Sequence, residues 1–413
     1  MKKITAIVLI LTLLLSGCGT GKTPETTAPT ELPTEAPTTA PTTVPTEPPT
    51  EPPVLRNPLN GQVVDEPLTN RVFAFSIGNT KESLPHYGIS RADVVFESFV
   101  NGLTTRRFAM FSNVQDVASI GGSRSMRIQF TDLAEGYDAV ALYAGGSSYV
   151  IGDLNMSGID GIISEQWGGD FFYRDKDRIG SGIGYEHSLF DRGDEVVAYA
   201  ESQGIRVTQD AEHDYGMRFS ETPSVAEGEE AGFVTVSMVL SSRIKDSLFT
   251  YDPQLQGYTM SQYGVKMMDG FYSVPEVYRN VFVLYVENHT EDGIYHVAET
   301  VGQGEGLFAC DGRIVPILWH REDNASPFTF TLTDGTPLEQ GVGASYISLA
   351  PIGSTTTWSA EAPAEVEESM PPMPEVQPTT GREPEETEPV TQAAEPSEQT
   401  AVPGETPTED AAG

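Results

Sequence analysis

A glycine-rich stretch with two arginines, Gly121–Arg127, is the strongest candidate for chemistry in this sequence. Its glycines precede a predicted helix, so free backbone N–H groups and the positive end of the helix dipole are available to an anion. We expect Ser123 or Ser125 to cap that helix. Arg124 and Arg127 add guanidinium donors that suit a carboxylate or a phosphate. The pattern predicts an anion-binding loop.

A purely structural interpretation of the same arginines stays open. An ordinary capped helix accounts for them if they pair with Glu97 or Asp132. The sequence does not decide between these two interpretations.

A second glycine pair, Gly145-Gly146, is followed by Ser147 and comes directly after a strand-like run. In open α/β sheets ligands bind beyond the carboxyl ends of the strands, so we expect the two glycine loops to share one cleft. Neither loop has the Gly-x-Ser-x-Gly pattern of a nucleophile elbow or the Gly-Lys-Ser/Thr of a P-loop. The sequence therefore predicts a binding cleft and indicates no nucleophile.

Glu97 lies inside an apolar strand, where an unpaired carboxylate is costly. We expect it to pair with Arg106 in the neighbouring strand or to lie at the end of the sheet. The alternative is that Glu97 and Asp93 form the acid–base pair of a glycosidase, for which Asp175 is a further candidate.

His187 follows a polar loop, 173–178, and then a glycine-rich run. This segment is interpreted either as a lid over the cleft or as a solvated turn. The six histidines are scattered and form no HExxH motif, and the chain has no CxxC. We therefore predict no metal site and no cofactor.

The elements that must position these residues differ between the two halves of the chain. In the first half, apolar strand-like runs alternate with helical patterns. Met126, Phe130, Leu133, Ala134 and Tyr137 form one helical stripe. A second helix is expected from Asp191, as N-cap, to Gly204. The predicted strands cover 71–77, 93–100, 107–111 and 138–143. The fold class expected for residues 57–205 is α/β.

The second half is dominated by strand-like runs at 233–239, 280–286 and 313–319, separated by Asp-Gly turns. We expect a mostly antiparallel β (α+β) domain at 225–352.

The N-terminus has the pattern of a bacterial lipoprotein signal peptide. Lys2 and Lys3 precede an apolar run at 4–15, which ends Leu15-Ser16-Gly17-Cys18. Small residues before a cysteine are typical of a lipobox, so residues 1–18 are expected to be a signal peptide and Cys18 the lipidated residue. Acylation, for example with palmitate, would anchor the protein to the outer face of the cell membrane. Cys310 then has no partner for an intramolecular disulfide and is expected to be a buried thiol.

Two low-complexity segments flank the folded part. Residues 19–54 are rich in threonine and proline, with prolines at a four-residue period from Pro29 to Pro53, and residues 359–413 are acidic and proline-rich. Both are expected to be disordered. The remaining 55–358 still carry 41 acids against 20 bases, a formal charge of −21. This charge argues against nucleic acid as a partner.

Eight runs of the chain resemble one family, the YerB-like lipoproteins of Gram-positive bacteria, whose domain of unknown function has two parts. The resembling runs are 57–61, 88–97, 120–125, 137–139, 144–147, 172–176, 280–281 and 302–319. The resemblance implies a two-part architecture and an exported lipoprotein, and it brings no catalytic residue. The chain differs from the family pattern at Gly78, where an acid is expected before Asn79, and after Lys176, although His187 matches.

The sequence thus predicts a non-catalytic surface lipoprotein that binds an anionic cell-envelope ligand, such as a cell-wall component, or an envelope protein. A cell-envelope enzyme such as a glycan hydrolase is the alternative, and a scaffold that docks through its β half is a third hypothesis.

Overall fold

The computed structural model describes residues 54–102, 104–146, 150, 159–164, 169–291 and 293–363. The predictions for the signal peptide, Cys18, the threonine- and proline-rich segment up to residue 53 and the acidic tail from residue 364 lie outside these residues. Within them, no helix has the length and apolar character needed to cross a membrane.

Strands are the most frequent regular element of the described residues. In the first half they are β1 (Phe73–Asn79), β2 (Val94–Asn101), β3 (Thr104–Phe111), β4 (Ile120–Gly121), β5 (Val140–Tyr143), β6 (Gly161–Ile163), β7 (Phe172–Arg174) and β8 (Leu189–Asp191).

The second half contributes the remaining strands. They are β9 (Phe219–Ser220), β10 (Glu229–Glu230), β11 (Phe233–Leu240), β12 (Arg243–Asp252), β13 (Gly257–Gln262), β14 (Val265–Lys266), β15 (Met268–Asp269), β16 (Val274–Pro275), β17 (Val277–Tyr278), β18 (Asn280–Val286), β19 (Asn288–Glu291), β20 (Tyr295–Ala298), β21 (Gly302–Cys310), β22 (Arg313–Arg321), β23 (Thr329–Leu332), β24 (Gln340–Gly341), β25 (Ser345–Pro351) and β26 (Thr355–Ser359).

One mixed sheet, called here the main sheet, runs through both halves of the chain. Its strand order is β10-β22-β21-β18-β25-β2-β3-β1-β5-β6. The halves meet where β2 pairs in parallel with β25, in a register that places Val94 opposite Ser345 and Glu97 opposite Ser348. Both sequence halves therefore contribute to one hydrogen-bonded sheet.

A second sheet of order β14-β13-β12-β11-β26 packs against one face of the main sheet. The central strands of the main sheet are buried on both faces, as the all-buried β1 illustrates, and this explains why they read as continuous apolar runs. The face toward the second sheet contains Phe75, Val95 and Phe111, and the opposite face contains Phe96 and Phe108.

Three α-helices have both ends within the described residues: α1 (Ile128–Gly136), α2 (Lys176–Gly180) and α3 (Gly193–Ser202). The predicted stripe began at Met126, but α1 begins two residues later. The reason is that the Met126 N–H donates to the Gly145 carbonyl at 2.9 Å, so Met126 is held by the loop at Gly145 before the helix begins. The prediction of Asp191 as the N-cap of the next helix is wrong, because Asp191 ends β8 and Arg192 is the N-cap of α3.

The predicted fold class is correct in part. The second half is strand-dominated, as expected. The first half is a mixed structure and not a regular α/β alternation, because β1, β2 and β3 pair antiparallel. In this half only β5 and β6 extend the sheet in parallel from β1. Beyond the expected boundary at residue 352, β26 pairs with β11.

Candidate functional site

The predicted anion loop fills the space between the carboxyl ends of two parallel strands, β1 and β5. Arg124 joins both sides, because its N–H donates to the Ser76 carbonyl at 2.7 Å and its carbonyl accepts from the Ala144 N–H at 3.0 Å. The loop then leads into α1. The local sequence permits this path because Gly78, on β1, has no side chain: a Cβ there would lie 2.7 Å from the Arg124 Cγ.

Arg106 and Arg127 reach the Ser125 carbonyl of the same loop from two other elements. Arg106 extends from β3 and Arg127 precedes α1, and both guanidinium groups contact the carbonyl oxygen of Ser125. Arg127 also donates to the Met126 carbonyl at 2.7 Å, and its guanidinium lies 4.8 Å from the ring centre of Tyr295. We call Arg106, Arg124 and Arg127 the arginine cluster.

No residue in the described part of the chain forms a carboxylate ion pair with a member of the arginine cluster. Burial, followed by the positive charges of Arg127 and Arg124, holds the pKa of Arg106 well below its usual range. Burial lowers the pKa of Arg127 to about 10, and Arg124 contributes to this shift. Arg106 and Arg127 are only 6% and 7% exposed. The cluster is therefore a site of buried positive charge in a strongly acidic protein.

His187 lies beside the arginine cluster. Its Nδ1 is 3.3 Å from Nη1 of Arg124, and since that nitrogen can only donate, Nδ1 accepts the hydrogen bond. Burial and the charge of Arg124 lower the pKa of His187. The carboxylate of the exposed Glu186 favours the charged form of Arg124. The backbone carbonyl of Glu186 lies 3.3 Å from the Arg124 guanidinium. His187 is thus a buried neutral histidine, and not part of a solvated turn.

The serines of the loop do not cap α1, so that prediction is wrong. The N-cap is Arg127, in extended conformation and without a side-chain capping hydrogen bond. The Ser123 hydroxyl instead donates to Asp191 of β8, and Ser125 offers its carbonyl to Arg106 and to the Ser76 hydroxyl. The first turn of α1 is consequently left without a side-chain cap beside the arginine cluster.

The second glycine loop is described only in part. The Gly145 carbonyl accepts from the Met126 N–H, so the two glycine loops are neighbours, and Gly146 is exposed. Their sharing of one cleft stays a prediction, and Ser147 lies outside the described residues.

Glu97 is not in this site, and its expected pairing with Arg106 is wrong. Side chains alternate along β2 and β3, so Glu97 faces the second sheet whereas Arg106 faces α1. The Glu97 carboxylate lies 3.4 Å from Nζ of Lys245, which belongs to β12. It also accepts hydrogen bonds from Gln262 at 2.9 Å and Tyr346 at 2.5 Å.

A second ion pair completes this buried ion-pair network, which consists of Glu97, Lys245, Arg107, Glu276 and His86. Arg107 donates to Glu276 at 2.6 Å, and both side chains are fully buried. Burial acts to raise the pKa values of the two carboxyl groups, but the nearby cations outweigh it and hold the pKa values of Glu97 and Glu276 at about 2. Burial lowers the pKa of Lys245 to about 8. The network joins the two sheets.

The carboxylates considered for glycan hydrolysis are used inside the fold. Asp93 is buried and accepts from Asn60 at 2.5 Å and from the Ser112 N–H and hydroxyl, each at 2.7 Å. Glu97 is completely buried. Asp175 caps α2 by accepting from the N–H groups of Asp177 and Arg178. These internal contacts do not suit carboxyl groups that must flank a glycosidic bond.

Sequence reasoning missed two contributors to the site. Tyr295, on β20, packs its ring against Arg127, and Asn101, at the end of β2, lies 3.4 Å from the Arg127 guanidinium through its Oδ1. Tyr295 belongs to the other half of the sequence, so no local pattern indicates it. Asn101 ends a predicted strand one residue beyond its expected limit.

Cys310 is buried, as predicted, and burial raises the pKa of its thiol to about 12. Among the described residues, no group of three or more histidine, cysteine or acidic side chains is arranged to hold a metal ion.

Comparison with known proteins identifies relatives of both halves. Residues 59–206 match the model described as "Protein of unknown function (DUF3048) N-terminal domain", and residues 234–347 match its C-terminal domain. "Putative lipoprotein YerB" of Bacillus subtilis (strain 168) is 24% identical over 301 residues, which is 72% of this chain and 86% of that protein. The crystal structure of the B. subtilis YerB protein matches with a TM-score of 0.64 at 22% identity, covering 73% of this chain and 99% of that chain. These findings confirm the resemblance inferred from the sequence.

Proposed function

The chain belongs to the DUF3048 family of proteins of unknown function, and on that premise we propose that it is a cell-surface lipoprotein that binds an anionic ligand through its arginine cluster. The observation that carries the proposal is the convergence of Arg106, Arg124 and Arg127 without a carboxylate ion pair among the described residues. Burying a charge is costly unless a counter-charge is supplied. A bound anion supplies it.

Two further features support binding. The first turn of α1 begins at the arginine cluster and has no side-chain cap, so its N–H groups and the helix dipole favour an anion there. Nε of Arg127 is buried and has no hydrogen-bond partner among the described residues. A ligand oxygen offers both groups an acceptor.

The lipoprotein part of the proposal rests on the sequence and on the relative. Leu15-Ser16-Gly17-Cys18 has the form of a lipobox, and the similar B. subtilis protein carries the name of a lipoprotein. Lipidation of Cys18 would hold the domain on the outer face of the cell membrane, with the segment at 19–54 as a spacer. The anionic ligand would then be a component of the cell envelope or an acidic partner protein.

The test is ligand-dependent stabilisation of the full-length chain carrying Cys18→Ser, so that lipid does not interfere. Inorganic phosphate, sulfate and citrate should each be titrated while the melting temperature is followed, because an anion that binds the native state raises it by mass action. Each charge-assisted hydrogen bond contributes roughly 1.5–3 kcal/mol, so Arg124→Ala should weaken binding about ten-fold or more.

Arg218→Ala is the matched control, since it removes one exposed arginine that has no described ion pair. The control should bind like the parent chain. If no anion stabilises the parent, or if Arg218→Ala and Arg124→Ala respond alike, the arginine cluster is not a binding site.

A further inference from the structure

The arginine cluster concentrates more positive charge than one carboxylate can balance. Arg106, Arg124 and Arg127 come from three different elements. Their positive charges repel one another, which makes the charged state of the cluster less favourable. Among the described residues, the carboxylate whose charge acts on Arg124 belongs to Glu186, whose side chain is 61% exposed. With that one acid counted against three guanidinium groups, two positive charges remain in the described part of the chain.

The three arginines approach their shared neighbourhood from different directions, and their charges act on one another. Arg106 approaches from β3, Arg124 from the loop between β1 and β5, and Arg127 from the start of α1. A carboxylate has two oxygens in one plane and suits a single guanidinium fork. A phosphoryl group has three terminal oxygens in a tetrahedral arrangement, so it suits guanidinium donors that approach from different directions.

Uncharged donors complete the set. The first hydrogen bond of α1 runs from the Phe130 N–H to the Arg127 carbonyl, so the N–H groups of Ile128 and Gln129 precede it. His187 accepts from Arg124 through Nδ1 and thereby helps to orient that guanidinium, while its Nε2 lies 3.8 Å from the Glu186 carboxylate. Such a combination of helix N-terminus and guanidinium groups is typical of phosphate recognition.

We infer that the group bound in the arginine cluster is a phosphoryl dianion, as carried by a phosphate monoester, in preference to a carboxylate or a phosphodiester. This inference rests on the proposed function and specifies its ligand class. The monoester is either a soluble molecule or the headgroup of a lipid, and both carry the same dianion.

The experiment compares three ligands built on glycerol, with the full-length Cys18→Ser chain in a calorimeter at pH 7.5. They are glycerol 3-phosphate, a dianionic monoester; glycerophosphoglycerol, a monoanionic diester; and glycerate, a carboxylate. Glycerol 3-phosphate should bind at least ten-fold more tightly than either of the others. Arg124→Ala should abolish that preference, while Arg218→Ala should keep it.

A pH series separates the charge of the ligand from titration of the protein. A phosphate monoester loses its second proton near pH 6, whereas sulfate stays dianionic throughout. Between pH 7.5 and pH 5.5 the affinity for glycerol 3-phosphate should fall several-fold relative to that for sulfate. Because sulfate keeps its charge, a change in its affinity with pH reports titration of protein groups around Arg124. These groups are His187, Glu186, Arg174 and the other two cluster arginines.

The outcomes distinguish the two proposals. Equal affinity for glycerate or the diester, still lost in Arg124→Ala, overturns the phosphoryl dianion and leaves the proposed function intact. Absence of binding by every anion overturns both. Arg124→Lys, which keeps the charge but not the fork, should retain the fold and bind more weakly than the parent.

Vesicles identify the source of the monoester. Vesicles that contain phosphatidic acid present a phosphomonoester, and vesicles with phosphatidylglycerol present a diester. Retention on the first alone, lost in Arg124→Ala, supports a lipid headgroup. No retention on either, together with tight binding of glycerol 3-phosphate, supports a soluble monoester.

Discussion

Arg106 and Arg107 are consecutive residues of β3 whose guanidinium groups lie on opposite faces of the main sheet and in opposite electrostatic surroundings. Arg107 is fully buried against Glu276, and that carboxylate raises the pKa of Arg107 well above its usual value despite burial. Arg106 lies on the α1 face with Arg127 and Arg124, and its pKa is lowered. One strand thus carries a structural cation and a candidate binding cation side by side.

The first prediction compares these two arginines. Arg107→Met should cost about 3–5 kcal/mol of unfolding free energy, because it leaves buried Glu276 without its partner. Arg106→Met should change stability by no more than about 1 kcal/mol, since the lost hydrogen bond to Ser125 is offset by removal of a repelled charge. Urea unfolding measures both values. Equal losses would show that Arg106 is also part of the structural framework.

The second prediction concerns acid unfolding. The folded-state pKa values of Glu97 and Glu276 are about 2, below the ordinary carboxyl value of 4.5. A lowered folded-state pKa means that the unfolded state binds protons first as the pH falls, so the stability is present above pH 4.5 and is lost between pH 4.5 and pH 2. The loss per carboxyl group is on the order of 3 kcal/mol.

The measurement is the unfolding free energy at several pH values from 7 to 2. Glu276→Gln should lower stability at pH 7 and flatten the pH dependence, because one of the two groups no longer titrates. An unchanged slope in this variant would indicate that other carboxyl groups dominate acid unfolding.

The third prediction uses the residue that differs from the family pattern. Gly78 leaves space for Arg124, since a Cβ at this position would lie 2.7 Å from its Cγ. Gly78→Asp should place a carboxylate against Arg124 and weaken anion binding more than ten-fold, because an internal counter-charge competes with the ligand.

Gly78→Ala is the control for Gly78→Asp, because it adds a side chain without a charge. It should displace Arg124 and weaken binding less than Gly78→Asp does. Titration with inorganic phosphate compares them, and identical affinities would show that shape and not charge governs the effect.

The fourth prediction concerns the anchor. Cys18→Ser should abolish labelling by a palmitate analogue and release the protein from the membrane fraction, because the proposed anchor attaches its acyl chains to this thiol. Cys310→Ala serves as the matched control and should label like the parent, since Cys310 is buried and its thiol pKa is raised. Labelling that persists in Cys18→Ser would contradict the lipobox.

The sequence by itself determined the local features of this protein. The strand at 280–286 and the buried state of Cys310 are found as predicted, and the loop that contains Arg124 and Arg127 precedes a helix as expected, whereas its binding of an anion stays a prediction. Periodicity, turn residues and apolar runs report such features because each depends on neighbours within a few residues. The family was recognised in the same way, from short runs of residues.

Only the tertiary structure decided which charges meet. Glu97 pairs with Lys245, 148 positions away, and not with the nearby Arg106, and Tyr295 reaches Arg127 from the other half of the chain. Alternation along β2 and β3 places Glu97 and Arg106 on opposite faces, but which face receives α1 and which receives the second sheet depends on the pairing of β2 with β25. That pairing joins segments about 250 residues apart, so no local pattern encodes it.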